Sequence, residues 1–390
     1  MLKALLFVLV LTLTGLSHAD EASALASAQQ KIVSGESSSV LFLSQAERDA
    51  AFKNMALLSP SREIRAGEHT YALPSAPQDF SAVSYEVDGK TFTYGGFFAR
   101  PEPRGVLVWQ DGKVLLEKYV NGNDEESLWM SFSVAKSVTS MLIGAAVKDG
   151  YIESVDDPVT RYVPRFAGTG YANSTVKDVL QMSSGMAWNE DYADPESDVA
   201  KAGAANGLVL QNYLKGLQRE APSGDKFNYN TGETNLVGEI LRAAIGNNAS
   251  AYLEHKIWQP FGMEHDANWL LGNPGGGELG GCCINASLRD YTRIGIFAME
   301  GGRLPDGSSP LPDGWMADSV SRSKGFPGYG YLWWLDEDAS YRARGIYGQQ
   351  IYIDPVKRIV ISVHSSSTAA VGSDYHAHLD PFVDALADSL

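Results

Sequence analysis

Cysteine is almost missing from this chain of 390 residues: it has two, Cys282 and Cys283, and they are neighbours. No separated pair exists to build a disulfide framework, so stability has to come from a packed core. A bridge between neighbours is sterically awkward, which favours two buried thiols. No ligand-spaced Cys/His partners surround them, which excludes a zinc site of that kind. Basic charge is also scarce, with 31 Lys and Arg against 47 Asp and Glu, a net charge of −16. A surface so acidic does not steer toward nucleic acid, and no polybasic run suggests an anionic membrane. Several catalytic signatures are absent as well: no G-x-S-x-G, no H-E-x-x-H, no glycine-rich phosphate loop and no C-x-x-C pair.

What is present begins with a leader. Lys3 precedes the apolar run Ala4 to Leu16, and Ser17-His18-Ala19 offers small residues where a signal peptidase reads. The largely apolar run of 13 residues, Ala4 to Leu16, falls short of the roughly 20 that span a bilayer. The expectation is a signal peptide over 1–19, cleaved after Ala19, and an exported protein, periplasmic or secreted, with no stable membrane anchor.

Residues 20–80 read as an N-terminal extension of unassigned role, with a helix around Ala22 to Lys31 and linker character near Pro60 and Pro74. Asp111-Gly112 between two apolar runs, 105–110 and 113–120, is a two-residue hairpin signal. Val134, Val138, Met141, Leu142, Ala145 and Ala146 recur at helical spacing until Asp149-Gly150. Helices are also expected over 175–182, 234–244, 289–299 and 381–390, and strands over 329–334, 350–353 and 358–363. Strands at both ends with helices between predict an α+β fold: an antiparallel sheet flanked by helices plus a helical lobe. The sheet lobe would take about 81–125 and 288–390 of a catalytic domain over 81–390, and the helical lobe about 126–287.

Two candidate sites remain. His376-Ala-His378-Leu-Asp380 has metal-ligand character, but no histidine follows to complete a site, and two surface histidines are the simpler reading. The S-x-x-K pattern occurs four times, at Ser133/Lys136, Ser174/Lys177, Ser223/Lys226 and Ser321/Lys324. The last two fall in loops, and Ser174 sits where a helix N-cap belongs, with Asp178 completing a polar first turn. Only Ser133-Val-Ala-Lys136 opens a long buried-type helix. Residues three apart share a helix face, so the lysine nitrogen can approach the serine oxygen. A desolvated lysine can take the serine proton, and the helix N-terminus brings N–H groups toward a developing oxyanion. The competing reading is a capping serine beside a solvated lysine.

The surrounding segments carry a resemblance. Ser131-Phe-Ser-Val-Ala-Lys-Ser137, Val179-Leu-Gln-Met-Ser-Ser-Gly185, Glu190-Asp-Tyr192, Phe227-Asn-Tyr-Asn-Thr231 with Leu236-Val-Gly238, Arg289-Asp-Tyr-Thr-Arg-Ile-Gly295, Tyr329-Gly-Tyr-Leu-Trp-Trp334 and Gly345-Ile-Tyr-Gly-Gln349 occur in that order. In them the chain resembles the class C β-lactamase and esterase superfamily of serine hydrolases, most of all its 6-aminohexanoate-dimer hydrolase branch.

The resemblance implies a β-lactamase/transpeptidase-like fold and a serine hydrolase that cleaves an amide or ester of a small molecule without a cofactor. It implies Ser133 as acylated nucleophile, Lys136 as its base and Tyr229 as proton relay. The backbone N–H groups of Ser133 and Ile346 would form the oxyanion hole, and Tyr192, Tyr347 and Gly348 would contact substrate. Three departures stand out. Thr231 replaces the asparagine of Y-x-N. Arg342, Arg344 and Gly345 occupy the place of K-T-G, so an arginine would have to supply the carboxylate anchor. No Trp lies between Trp188 and Trp258 to serve as the branch's lid. The alternatives are a β-lactamase or D-amino-acid/cell-wall peptidase, and a non-catalytic penicillin-binding-like protein.

Overall fold

A computed structural model describes residues 18–37 and 39–390. The expected leader therefore lies outside the described residues except for its last two positions. Those open helix α1 (His18–Ser34), which is followed by α2 (Gln45–Lys53). Among the described residues no helix is long and apolar enough to cross a membrane.

Twelve strands follow among the described residues: β1 (Ser61–Ile64), β2 (Ser84–Val87), β3 (Lys90–Thr93), β4 (Pro103–Gln110), β5 (Lys113–Tyr119), β6 (Trp129–Met130), β7 (Ala267–Leu270), β8 (Ile284–Ala286), β9 (Trp334–Leu335), β10 (Tyr341–Arg344), β11 (Gln350–Asp354) and β12 (Ile359–Ser365). The main sheet is antiparallel in the order β5-β4-β12-β11-β10-β9. The predicted hairpin is its β4–β5 pair, turning on Asp111 and Gly112, both at positive φ as such a turn requires. A second sheet runs β1-β7-β8-β6, and β2 and β3 pair alone.

Both faces of the main sheet are covered, which is why β4 and β12 read as nearly unbroken apolar runs. Leu107, Trp109, Ile351, Ile353 and Val360 pack toward the Leu288–Met299 helix and the large core. Val106, Val108, Ile359, Ile361 and Val363 pack with Phe97, Phe382 and Leu386 on the other side. Alternate side chains of a strand point to opposite faces, so each run feeds two cores.

Several expectations need correction. Of the 329–334 segment only Trp334 lies in a strand, β9 with Leu335, because Leu332 takes a left-handed φ of 62° and turns the chain back. The C-terminal helix starts earlier, at Asp374, capped by Ser373, with Pro381 inside it; burial of Tyr375, Leu379, Phe382 and Val383 holds it together. His376 and His378 thus sit on a packed helix rather than a free surface. His378 bonds the Tyr85 hydroxyl at 3.0 Å. No group of residues suited to hold a metal occurs among the described residues. Thr175, not Ser174, caps its helix, in a capping box with Asp178. Pro74 and its neighbours are no linker: Ala76 N–H donates to Val114 O and Val114 N–H to Pro74 O, both at 2.8 Å, alongside β5.

Candidate active site

Ser133 stands at the start of the Val134–Lys148 helix, just after Phe132, whose φ of 45° swings the chain from β6 into the helix. The turn is fastened to β8: Ser131 N–H donates to Ile284 O at 2.9 Å, and Ile284 N–H donates to Ser131 Oγ at 2.9 Å. Ser133 makes no side-chain capping bond. Its hydroxyl lies close enough to Tyr229 to favour the ionised phenol.

Lys136, one turn along, is 1% exposed and not solvated. Its Nζ donates to Thr231 Oγ1 at 3.0 Å and to Gly281 O at 2.9 Å, and makes no bond to Ser133. A Cβ on Gly281 would sit 2.9 Å from that Nζ and push the lysine tip aside. Burial disfavours the ammonium and the charge of Glu190 favours it; the balance lowers the lysine to about 8. Lys136 Nζ also lies 5.5 Å from the Tyr229 ring centre.

Tyr229 precedes the Thr231–Ile245 helix, which Asn230 caps by accepting from Glu233 N–H at 2.9 Å. Its ring stacks on Trp334 at 5.5 Å. Burial, with help from Glu190, pushes the phenol well above its ordinary range, and the nearby Ser133 hydroxyl offsets part of this.

Glu190 and Thr231 join these parts. Thr231 N–H donates to Glu190 Oε2 at 3.0 Å, and Thr231 Oγ1 donates to Glu190 Oε1. Tyr192 donates to the same carboxylate at 2.5 Å, as does Trp188 Nε1. Lys136, Thr231 and Glu190 form one line. Sequence reasoning assigned neither Glu190 nor Thr231 a role. Both lie inside segments it had singled out, and a carboxylate two residues before an assigned tyrosine was the available signal. Tyr192's hydroxyl is committed to this carboxylate.

The Gly345–Gln349 loop follows β10. Gly345 N–H donates to Gln349 O at 2.7 Å and Gly348 N–H to Gly345 O at 3.0 Å, with Gly348 at φ 89°. A Cβ on Gly345 would come within 2.6 Å of Ser131 O, so glycine is what lets this loop lie against the nucleophile segment. Among the described residues no acceptor is placed on the N–H of Ser133 or of Ile346. Tyr347 differs from expectation: its side chain is 2% exposed, packed against Phe52 and Phe132, so only its backbone stays in the loop. Arg342 and Arg344, in the place of K-T-G, are both bonded to Asp380, and Arg342 also to Asp336 and Asp384. Neither is a free carboxylate anchor.

An antiparallel sheet with a helical lobe and a serine at the head of a buried helix is a β-lactamase/transpeptidase-like fold, and solved structures agree. The chain is similar to a candidate 6-aminohexanoate-dimer hydrolase from Bacillus anthracis, with a TM-score of 0.77 at 21% identity over 88% of this chain and 93% of that one. It is also similar to a penicillin-binding protein homologue from Caulobacter crescentus, with a TM-score of 0.56 at 17% identity over 73% of this chain and 92% of that one. By sequence it is 28% identical over 284 residues to the 6-aminohexanoate-dimer hydrolase of Paenarthrobacter ureafaciens, covering 67% of this chain and 71% of that protein. The family model described as Beta-lactamase matches residues 104–381, and the chain belongs to that family.

Proposed function

We propose that the protein is an exported serine hydrolase that opens an amide or ester bond through an acyl-enzyme on Ser133. The observation that carries this is the buried Lys136, poised at about 8, one turn from Ser133 and 5.5 Å from the Tyr229 ring centre, with the serine hydroxyl close enough to influence that phenol. The phenol is too weak an acid to lose its proton alone, whereas the lysine has a neutral form at ordinary pH, near the optimum for a general base. As Ser133 Oγ attacks the carbonyl carbon, its proton passes to Tyr229 and the Tyr229 proton to Lys136. The N–H groups of Ser133 and Ile346 hold the oxyanion. Collapse expels the amine or alcohol, protonated by the same route in reverse, and water then repeats the cycle to release the acid. Export rests on the leader pattern at 1–19. Relatives named as 6-aminohexanoate-dimer hydrolases support a linear amide as substrate. The pairing of Arg342 and Arg344 with aspartates disfavours a β-lactam carboxylate as the anchor.

The test is hydrolysis of a p-nitrophenyl ester, a linear amide and a cephalosporin by wild type and Ser133→Ala, with a fluorophosphonate probe. Ester or amide turnover, an adduct on Ser133 and a loss of about 10⁴-fold or more in the alanine variant are expected. Equal rates in the two proteins overturn the proposal. Tight ligand binding with no adduct would make the chain a binder, and preferred cephalosporin turnover would make it a β-lactamase.

A further inference from the structure

The two N–H groups that would hold the oxyanion are flanked by aromatic side chains that both lean on the N-terminal segment. Phe132 precedes Ser133, and Tyr347 follows Ile346. Their rings lie 5.1 Å apart, and each meets the ring of Phe52 on α2, at 5.0 and 5.2 Å. Phe52 is fully buried. One turn before it, the Arg48 guanidinium lies 5.2 Å over the Tyr347 ring and donates to Thr368 O at 3.0 Å. The Tyr347 hydroxyl donates to Leu41 O at 3.2 Å, and Gln45 Nε2 donates to Ser366 O at 2.7 Å. α1 in turn secures α2: Glu47 accepts from Ser27 at 2.6 Å and pairs with Lys31 at 2.8 Å.

Phe132 is a bulky residue at positive φ, a conformation that persists only where the surroundings impose it. Oxyanion stabilisation depends on donors fixed before the charge develops, and small displacements waste them. We propose that α1 and α2 are a splint for the oxyanion hole, with Phe52 as the positioning residue that sets the spacing of the Ser133 and Ile346 donors. The residues beyond the family match at 104–381 thereby become part of the working enzyme. This inference rests on the hydrolase reading above.

The experiment compares full-length wild type, Phe52→Ala, Phe52→Leu and Phe97→Ala by kcat, KM, Tm and the rate of fluorophosphonate labelling. Phe97 packs on Phe382 in the core on the other face of the sheet, so it controls for lost stability alone. Phe52→Ala should lose about 10- to 100-fold in kcat and in labelling rate, with KM within about twofold. Phe52→Leu should recover part of that loss, and Phe97→Ala should lower Tm at wild-type kcat. A folded Phe52→Ala with kcat within about twofold of wild type, or a loss matched by Phe97→Ala, overturns the splint while leaving the hydrolase reading intact. If Phe52→Ala does not fold, Tyr347→Phe decides, since it removes only the bond to Leu41. A several-fold fall in kcat at constant KM supports the splint, and an unchanged kcat overturns it. A wild type that neither turns over ester nor labels at Ser133 sinks the hydrolase reading, and the splint with it.

Discussion

Lys136 and Arg342 are both buried cations, 1% and 4% exposed, one at the head of the long central helix and the other on β10. The molecule treats them oppositely. Around Arg342, burial works against the charge, but Asp380, Asp384 and Asp336 outweigh it and hold the guanidinium firmly ionised. Around Lys136 only neutral oxygens are in direct contact, and the one carboxylate, Glu190, is reached through Thr231. Burial therefore wins and the lysine falls to about 8. A cation given a carboxylate for each of its nitrogens is a fastener. One held a residue away from its carboxylate can give up its proton, and that difference separates chemistry from architecture here.

The sharpest way to break this contrast is to make both residues methionine. Lys136→Met should cost about 10³-fold in kcat while leaving Tm unchanged or raised, because a poorly compensated buried charge is removed. Arg342→Met should do the reverse: about 3 kcal/mol of stability lost in urea unfolding, three aspartates being left without their partner, with kcat within about tenfold of wild type. Equal effects on rate and stability in both variants would erase the distinction.

A smaller effect concerns pH. kcat/KM should rise as pH climbs through about 8, where Lys136 sheds its proton. Glu190→Gln removes the negative charge that favours the ammonium, so a pH–rate profile of that variant should show the rising limb at lower pH, and a limb that stays in place contradicts the assignment. The smallest effect involves Glu233, which burial raises from 4.5 to about 8 against the bonds from Ser184 and Tyr171. A folded value above the unfolded one stabilises below pH 4.5, and that contribution disappears as pH rises through about 8. Glu233→Gln should therefore lose less stability than wild type between about pH 5 and 9, read by denaturant titration.

Local chemistry was legible in the sequence, and long-range partnership was not. The Asp111-Gly112 turn and the Val134–Lys148 helix follow from spacing and punctuation, which act over a few residues. Ser133 and Lys136 lie near Tyr229 in space, though far from it in the sequence. Glu190 escaped notice because an acidic residue in a polar stretch looks solvated until Thr231, Tyr192 and Trp188 are seen to converge on it. Residues 20–80 gave no hint of purpose because their partners are distant in sequence, Gln45 with Ser366 and Arg48 with Thr368. Tyr347 looked available to substrate for the same reason.

The pairing of β4 with β12 joins Gln110 to Ile359, 359 − 110 = 249 positions apart, at the centre of the main sheet. During synthesis the β4–β5 hairpin must therefore wait, with an apolar edge uncovered, until almost the whole polypeptide has been made. An apolar strand edge left unpaired for so long is where partly made chains associate, so the order of synthesis sets the hazard that this sheet has to pass.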